Sequence, residues 1–129
     1  MPFAYSLRVL IVDDQLSMRA LVNNGLQQLG FREIQEAVDG EDGLRKLVAG
    51  KPQLVLADYN MPKLDGLGLL RAVRAHPPIA NTAYIMLTGA ADKELVQKAV
   101  QAGVNNYLLK PFTAVTLRQK IEAVLGPLT

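Results

Sequence analysis

The chain has no cysteine among its 129 residues, which excludes a disulfide framework and a thiolate metal centre. No apolar stretch is long enough to span a bilayer. Met1 to Ser6 lack the charged leader and long apolar run of a signal peptide. A cytoplasmic protein is therefore expected, with no membrane insertion. A surplus of one charge sign is also missing. Fourteen bases and twelve acids leave a net charge of +2, too little to argue for nucleic acid or an anionic membrane as a partner. There is no linker, low-complexity tract or internal repeat, so residues 1–129 are read as one domain. At that length no separate output domain is expected.

What is present begins with a hydrophobic fraction of 50%, enough for a full core. Residues 1–65 carry nine acids and seven bases, and residues 66–129 carry three acids and seven bases. The halves thus differ in sign, with an acidic site expected early and a mildly basic surface late. Three apolar runs stop at charged residues. Leu7-Arg8-Val9-Leu10-Ile11-Val12 ends at Asp13-Asp14, Leu54-Val55-Leu56-Ala57 ends at Asp58, and Tyr107-Leu108-Leu109 ends at Lys110-Pro111. Short aliphatic runs of this kind read as buried strands of a parallel sheet.

Strands are expected near 7–12, 32–37, 53–58, 82–88 and 104–109, and helices near 15–29, 39–49, 64–75, 91–102 and 113–125. Gly30, Gly50 with Pro52, Pro77-Pro78, Gly103 and Gly126-Pro127 are read as helix stops, and Thr113 as a cap for the last helix. Leu117, Ile121 and Val124 give that helix an apolar face. Leu67, Leu70 and Arg74 share a face of the third, with the arginine expected to reach solvent. Five βα units joined by right-handed crossovers place helices on both faces of the sheet, an α/β doubly wound fold. Ligands in such sheets sit outside the carboxyl ends of the strands, which would gather Asp13, Asp14, Asp58 and Lys110 at one edge.

Taken singly, each signal has an ordinary explanation. Asp13 and Asp14 serve as well for capping a helix as for holding Mg²⁺, which takes oxygen ligands. An acid at a strand end, as at Asp58, is common. Lys110 reads equally as a snorkelling surface lysine, although Pro111, whose preceding bond can be cis, fixes a turn there. Thr88 before Gly89 reads as a turn residue or as a hydroxyl for a phosphoryl oxygen, and Tyr107 as a half-buried packing aromatic. Three carboxylates together are less ordinary. Two unit charges about 4 Å apart repel by roughly 4 kcal/mol at an effective dielectric near 20, so the cluster calls for a cation.

In order and spacing, Asp13-Asp14, Asp58-Tyr59-Asn60-Met61-Pro62-Lys63-Leu64-Asp65-Gly66, Thr88-Gly89 and Lys110-Pro111-Phe112 resemble the motifs of response regulator receiver domains. Asp13 to Arg19 and Lys110 to Ala114 are most similar to the CheY-type chemotaxis regulators. The resemblance implies a five-stranded (βα)5 sheet in order 2-1-3-4-5. It implies that Asp58 accepts a phosphoryl group from the phosphohistidine of a histidine kinase, with Mg²⁺ as cofactor. Asp14, Asp58 and the Asn60 backbone carbonyl would ligate the metal directly, and Asp13 through water. Lys110 and Thr88 would contact phosphoryl oxygens, while Asn60 and Ala90 would flank the path of hydrolytic water. Thr88 and Tyr107 would switch the surface of helix four, strand five and helix five, which would then dock a target protein.

That target could be a flagellar motor switch, a kinase or a phosphorelay partner; the CheY resemblance implies the motor or chemosensory pathway, with a separate phosphatase as a further partner. Motor-binding members carry two lysines early in helix four where this chain has Asp92-Lys93, while Lys120 matches, so a regulator of another pathway or a phosphorelay stays open. No turnover of an external substrate is expected. A haloacid-dehalogenase-like phosphatase needs Asp-x-Asp at the first strand end and a cap domain. The chain has Asp13-Asp14-Gln15 and no spare length. A flavodoxin-like nucleotide binder needs N–H donors after strand one, where two carboxylates would repel phosphate.

Overall fold

Aliphatic runs alternate with amphipathic stretches to build five βα units. In the computed structural model, which describes residues 3–89 and 93–129, the strands are β1 (Arg8–Val12), β2 (Glu33–Ala37), β3 (Leu54–Asp58), β4 (Ala83–Thr88) and β5 (Asn106–Leu109). The helices are α1 (Leu16–Gln28), α2 (Gly40–Gly50), α3 (Gly66–Ala75), α4 (Lys93–Gln101) and α5 (Ala114–Leu125). All strand pairs are parallel, in the order β2-β1-β3-β4-β5. Every expected element is present, with its ends matched or shifted by at most two residues. The first two positions expected for the fourth helix, 91 and 92, lie outside the described residues.

β3 and β4 are buried along their whole length, as central parallel strands require. β2, at the sheet edge, is exposed at Glu33 and Gln35. Side chains alternate across the sheet and split the core in two. Val9, Ile11, Leu54, Leu56 and Ile85 pack with Val22 and Leu26 of α1 and Leu117 and Ile121 of α5. Leu10, Val12, Val55, Ala57, Tyr84 and Met86 pack on the other face with α2, α3 and α4.

Local chemistry sets the helix ends. Thr113 and Thr116 form a reciprocal cap on α5: Thr113 Oγ1 accepts from Thr116 N–H at 3.2 Å, and Thr116 Oγ1 from Thr113 N–H at 2.9 Å. This matches the capping-box pattern with Thr in the third helical position. Gly30, Gly103 and Gly126 all have positive φ, as expected of helix stops.

Two expectations are corrected. Gly50 is the last residue of α2, and Lys51 takes the left-handed conformation at φ 46°. The Lys51 N–H still bonds the Leu47 carbonyl at 2.9 Å, so the helix includes Gly50 and stops at Lys51. The Lys51 carbonyl in turn accepts from Arg8 Nη2 at 2.8 Å. Arg74 does not reach out to solvent. Its guanidinium donates to the carbonyls of Gly103, Ala80 and Thr82 and to Asn105 Oδ1, over 2.7–3.0 Å. It ties the end of α3 to the segments entering β4 and β5, because those turns leave carbonyls without strand partners.

Candidate functional site

The carboxyl ends of β1, β3 and β4 lie side by side, with Asp58 in register with Leu87. Asp13 follows β1 directly, and its N–H extends the ladder to the Ala37 carbonyl at 3.1 Å. The chain turns away there. Asp13 is buried at 2% exposure, whereas Asp14 is exposed. Asp58 ends β3 at 7% exposure. The carboxylates of these three residues each offer an oxygen within 4.8 Å of the others. Lys110 Nζ reaches into the cluster, 2.9 Å from Asp58 Oδ1 and 3.5 Å from Asp13 Oδ2. The four charged residues expected to converge are therefore together.

Neither aspartate caps α1. Its N-cap residue is Gln15, which makes no side-chain cap. Asp13 Oδ1 instead accepts the Gln15 N–H at 2.9 Å. Burial raises the Asp13 carboxyl above its ordinary pKa, opposed by the Gln15 hydrogen bond and the Lys110 charge and reinforced by the Asp58 charge. Such a site favours a bound cation, which would stabilise the ionised form.

Backbone packing holds the loop after Asp58. Tyr59 N–H bonds the Leu87 carbonyl at 2.8 Å, and Gly66 N–H bonds the Tyr59 carbonyl at 2.9 Å. A Cβ on Gly66 would lie 2.5 Å from the Asp58 carbonyl oxygen, and one on Gly40 would lie 2.1 Å from that of Leu64. Both positions exclude any side chain, since backbone atoms cannot yield as a rotamer can. Tyr84, fully buried, donates its hydroxyl to the Gly66 carbonyl at 2.7 Å. Asp65 caps α3 by accepting from Gly68 N–H at 2.8 Å.

Thr88 ends β4 at 5% exposure. Its carbonyl accepts the Lys110 N–H at 2.9 Å, so the backbones carrying hydroxyl and ammonium are neighbours. The Lys110–Pro111 bond is cis. Asn60 is exposed, two residues beyond Asp58. Tyr107 is half-buried on β5, with Lys120 Nζ 4.9 Å from its ring centroid. Ala90 lies outside the described residues.

Two residues join the site without having been singled out from the sequence. Arg19 Nη1 donates to the Asp13 carbonyl at 2.7 Å, and its Nε donates to Glu36 Oε1 at 3.0 Å. Glu36 lies on β2, seventeen positions away. The one sequence signal was the place of Arg19 in the run Asp13 to Arg19.

An open parallel sheet thus carries three acids and a lysine at its carboxyl edge, a group whose acids could hold a metal ion. The response regulator receiver domain family matches residues 9–122, and the chain belongs to that family, within two-component signalling. Inside it the chain is of the CheY type. It is 48% identical over 128 residues to a probable chemotaxis protein CheY of Rhizobium etli, covering 99% of each chain. The structure of Vibrio cholerae chemotaxis protein CheY4 superposes with TM-score 0.87 at 34% identity, covering 92% of this chain and 98% of that one. The receiver domain of a sensor histidine kinase from Pseudomonas aeruginosa superposes with TM-score 0.84 at 28% identity over 93% of this chain and 98% of that one. That structure has a magnesium ion coordinated in its active-site cleft. Among the described residues, no helix is long and apolar enough to cross a membrane.

Proposed function

We infer that Asp58 is the phosphoacceptor of a cytoplasmic chemotaxis-type regulator, charged by the phosphohistidine of a histidine kinase. The observation that carries this is the 2.9 Å contact of Lys110 with Asp58 beside the Asp13–Asp14 pair. The donor set is all oxygen and anionic, which suits Mg²⁺ and not a soft metal. Asp14 and Asp58 would hold it directly, with the Asn60 carbonyl, and Asp13 through water. Bound there, Mg²⁺ supplies positive charge to offset that of the carboxylate and the incoming phosphoryl oxygens.

An Asp58 oxygen attacks phosphorus as the bond to the donor imidazole breaks, giving an acyl phosphate. Lys110 shifts from pairing the free carboxylate to pairing a phosphoryl oxygen, and Thr88 donates a hydrogen bond to another. Water later cleaves the acyl phosphate along a path flanked by Asn60 and Ala90. No external substrate is turned over.

The output follows from packing. As Thr88 moves toward the phosphoryl group it vacates space, and Tyr107 turns into it. This remodels the basic face of α4, β5 and α5, where a partner docks. The CheY-type relatives favour a flagellar motor switch as that partner, and a separate phosphatase would shorten the signal.

Incubation with a small-molecule phosphodonor and Mg²⁺, followed by intact mass, tests the reading. The wild type gains one phosphoryl group and Asp58→Ala gains none. Equal labelling of the variant would remove Asp58 from the role.

A further inference from the structure

We propose that Arg19 is a positioning residue that fixes the peptide plane between Asp13 and Asp14 and so aims the Asp14 carboxylate at the metal. This rests on the reading of Asp13, Asp14 and Asp58 as a Mg²⁺ site. Asp13 has side-chain partners of its own, the Gln15 N–H and Lys110. Asp14 is exposed, and its carboxylate has no hydrogen bond or ion pair among the described residues. The direction of its Cα–Cβ bond, from which the carboxylate swings, is therefore set by its backbone. The peptide unit that precedes it is planar and contains the Asp13 carbonyl and the Asp14 N–H. That unit lies beyond the last sheet bond, so the ladder does not hold it.

Arg19 does. Its Nη1 donates to the Asp13 carbonyl at 2.7 Å, and its Nε is anchored on Glu36 Oε1 at 3.0 Å. The other Glu36 oxygen accepts from Asn23 Nδ2 at 3.0 Å. The Arg19 side chain is only 12% exposed. A planar guanidinium held at two points is a rigid strut from β2 to the turn after β1. Without it the unit is braced only by the Asp13–Gln15 bond and the last ladder bond on either side, and metal binding has to order it further.

The sign of the effect separates this role from simple electrostatics. Removing a cation from beside a dication site should tighten metal binding by relieving repulsion. Removing a strut should weaken it. Mg²⁺ titration calorimetry on the wild type, Arg19→Met, Arg19→Lys and Ile121→Val decides between them. Arg19→Met is expected to bind roughly tenfold more weakly, as loss of outer-shell support does elsewhere. Arg19→Lys, able to satisfy one contact but not both, should fall between. Ile121→Val, a core change on α5, should bind as the wild type does.

Thermal melts without metal establish that each titrated protein is folded. If Arg19→Met is not, Arg19→Lys carries the test. Affinity equal to or tighter than wild type in the folded Arg19 variants overturns the strut. Absence of Mg²⁺ binding by the wild type overturns the metal site itself.

Discussion

Asp42, outside the site, shows how one side chain sets a local pH response. Its Oδ2 accepts the Val38 N–H at 3.0 Å, with Lys46 Nζ 3.4 Å away, and its Oδ1 pairs with Arg45. The Val38 hydrogen bond, helped by Arg45 and Lys46 and opposed by burial, holds the carboxyl below its ordinary pKa. The folded state thus takes up this proton less readily than the unfolded chain. The resulting stability is fully present above the unfolded value of about 3.9 and is lost as pH falls through the depressed folded value. Asp42→Asn is expected to lose roughly 2 kcal/mol at neutral pH, with a smaller deficit at pH 3. Urea midpoints at the two pH values check this, and an unchanged gap would contradict it. At this scale the sequence was partly legible. Asp13 and Asp14 had to diverge as the chain left the sheet, and they do. That Asp42 bonds Val38, or that Arg19 finds Glu36, depends on backbone placement that no residue spacing encodes.

At the scale of elements, strands were the most readable part. An uninterrupted run such as Leu54-Val55-Leu56-Ala57 has few folded environments other than the middle of a parallel sheet. Arg74 shows where such reading stops. Its helical spacing put it on a face, but nothing local showed that three carbonyls from two later segments would converge on it. Arg74→Met would strand those carbonyls and is expected to cost about 3 kcal/mol, measured by urea unfolding. Because Arg74 sits at the edge opposite Asp58, folded variant should still accept a phosphoryl group. Loss of labelling in the folded fraction would show coupling between the two edges. The turn at Lys51 was missed for a similar reason: Arg8, more than forty positions away, holds its carbonyl.

Across the whole molecule, acids collect at the carboxyl edge of the sheet while the later half carries the basic excess. The Tyr107 ring lies on β5, half-buried and under the Lys120 ammonium. Tyr107→Ala is expected to leave phosphorylation largely intact and to weaken output, read as reduced capture of the target by protein carrying a phosphate mimic. A variant that no longer accepts a phosphoryl group would instead place Tyr107 in the chemistry.

The sheet is also a partition. Ile11 and Val12 are joined by a peptide bond, yet they face separate interiors that share no side chain among the described residues. One interior seats α1 and α5, and the other seats α2, α3 and α4. Drift can therefore rework the packing on one side while the other keeps its shape, with the strand backbones as a common boundary. Because α4 belongs to one interior and α5 to the other, a receiver of this design can diversify either flank of its docking face while the packing beneath the other flank is kept.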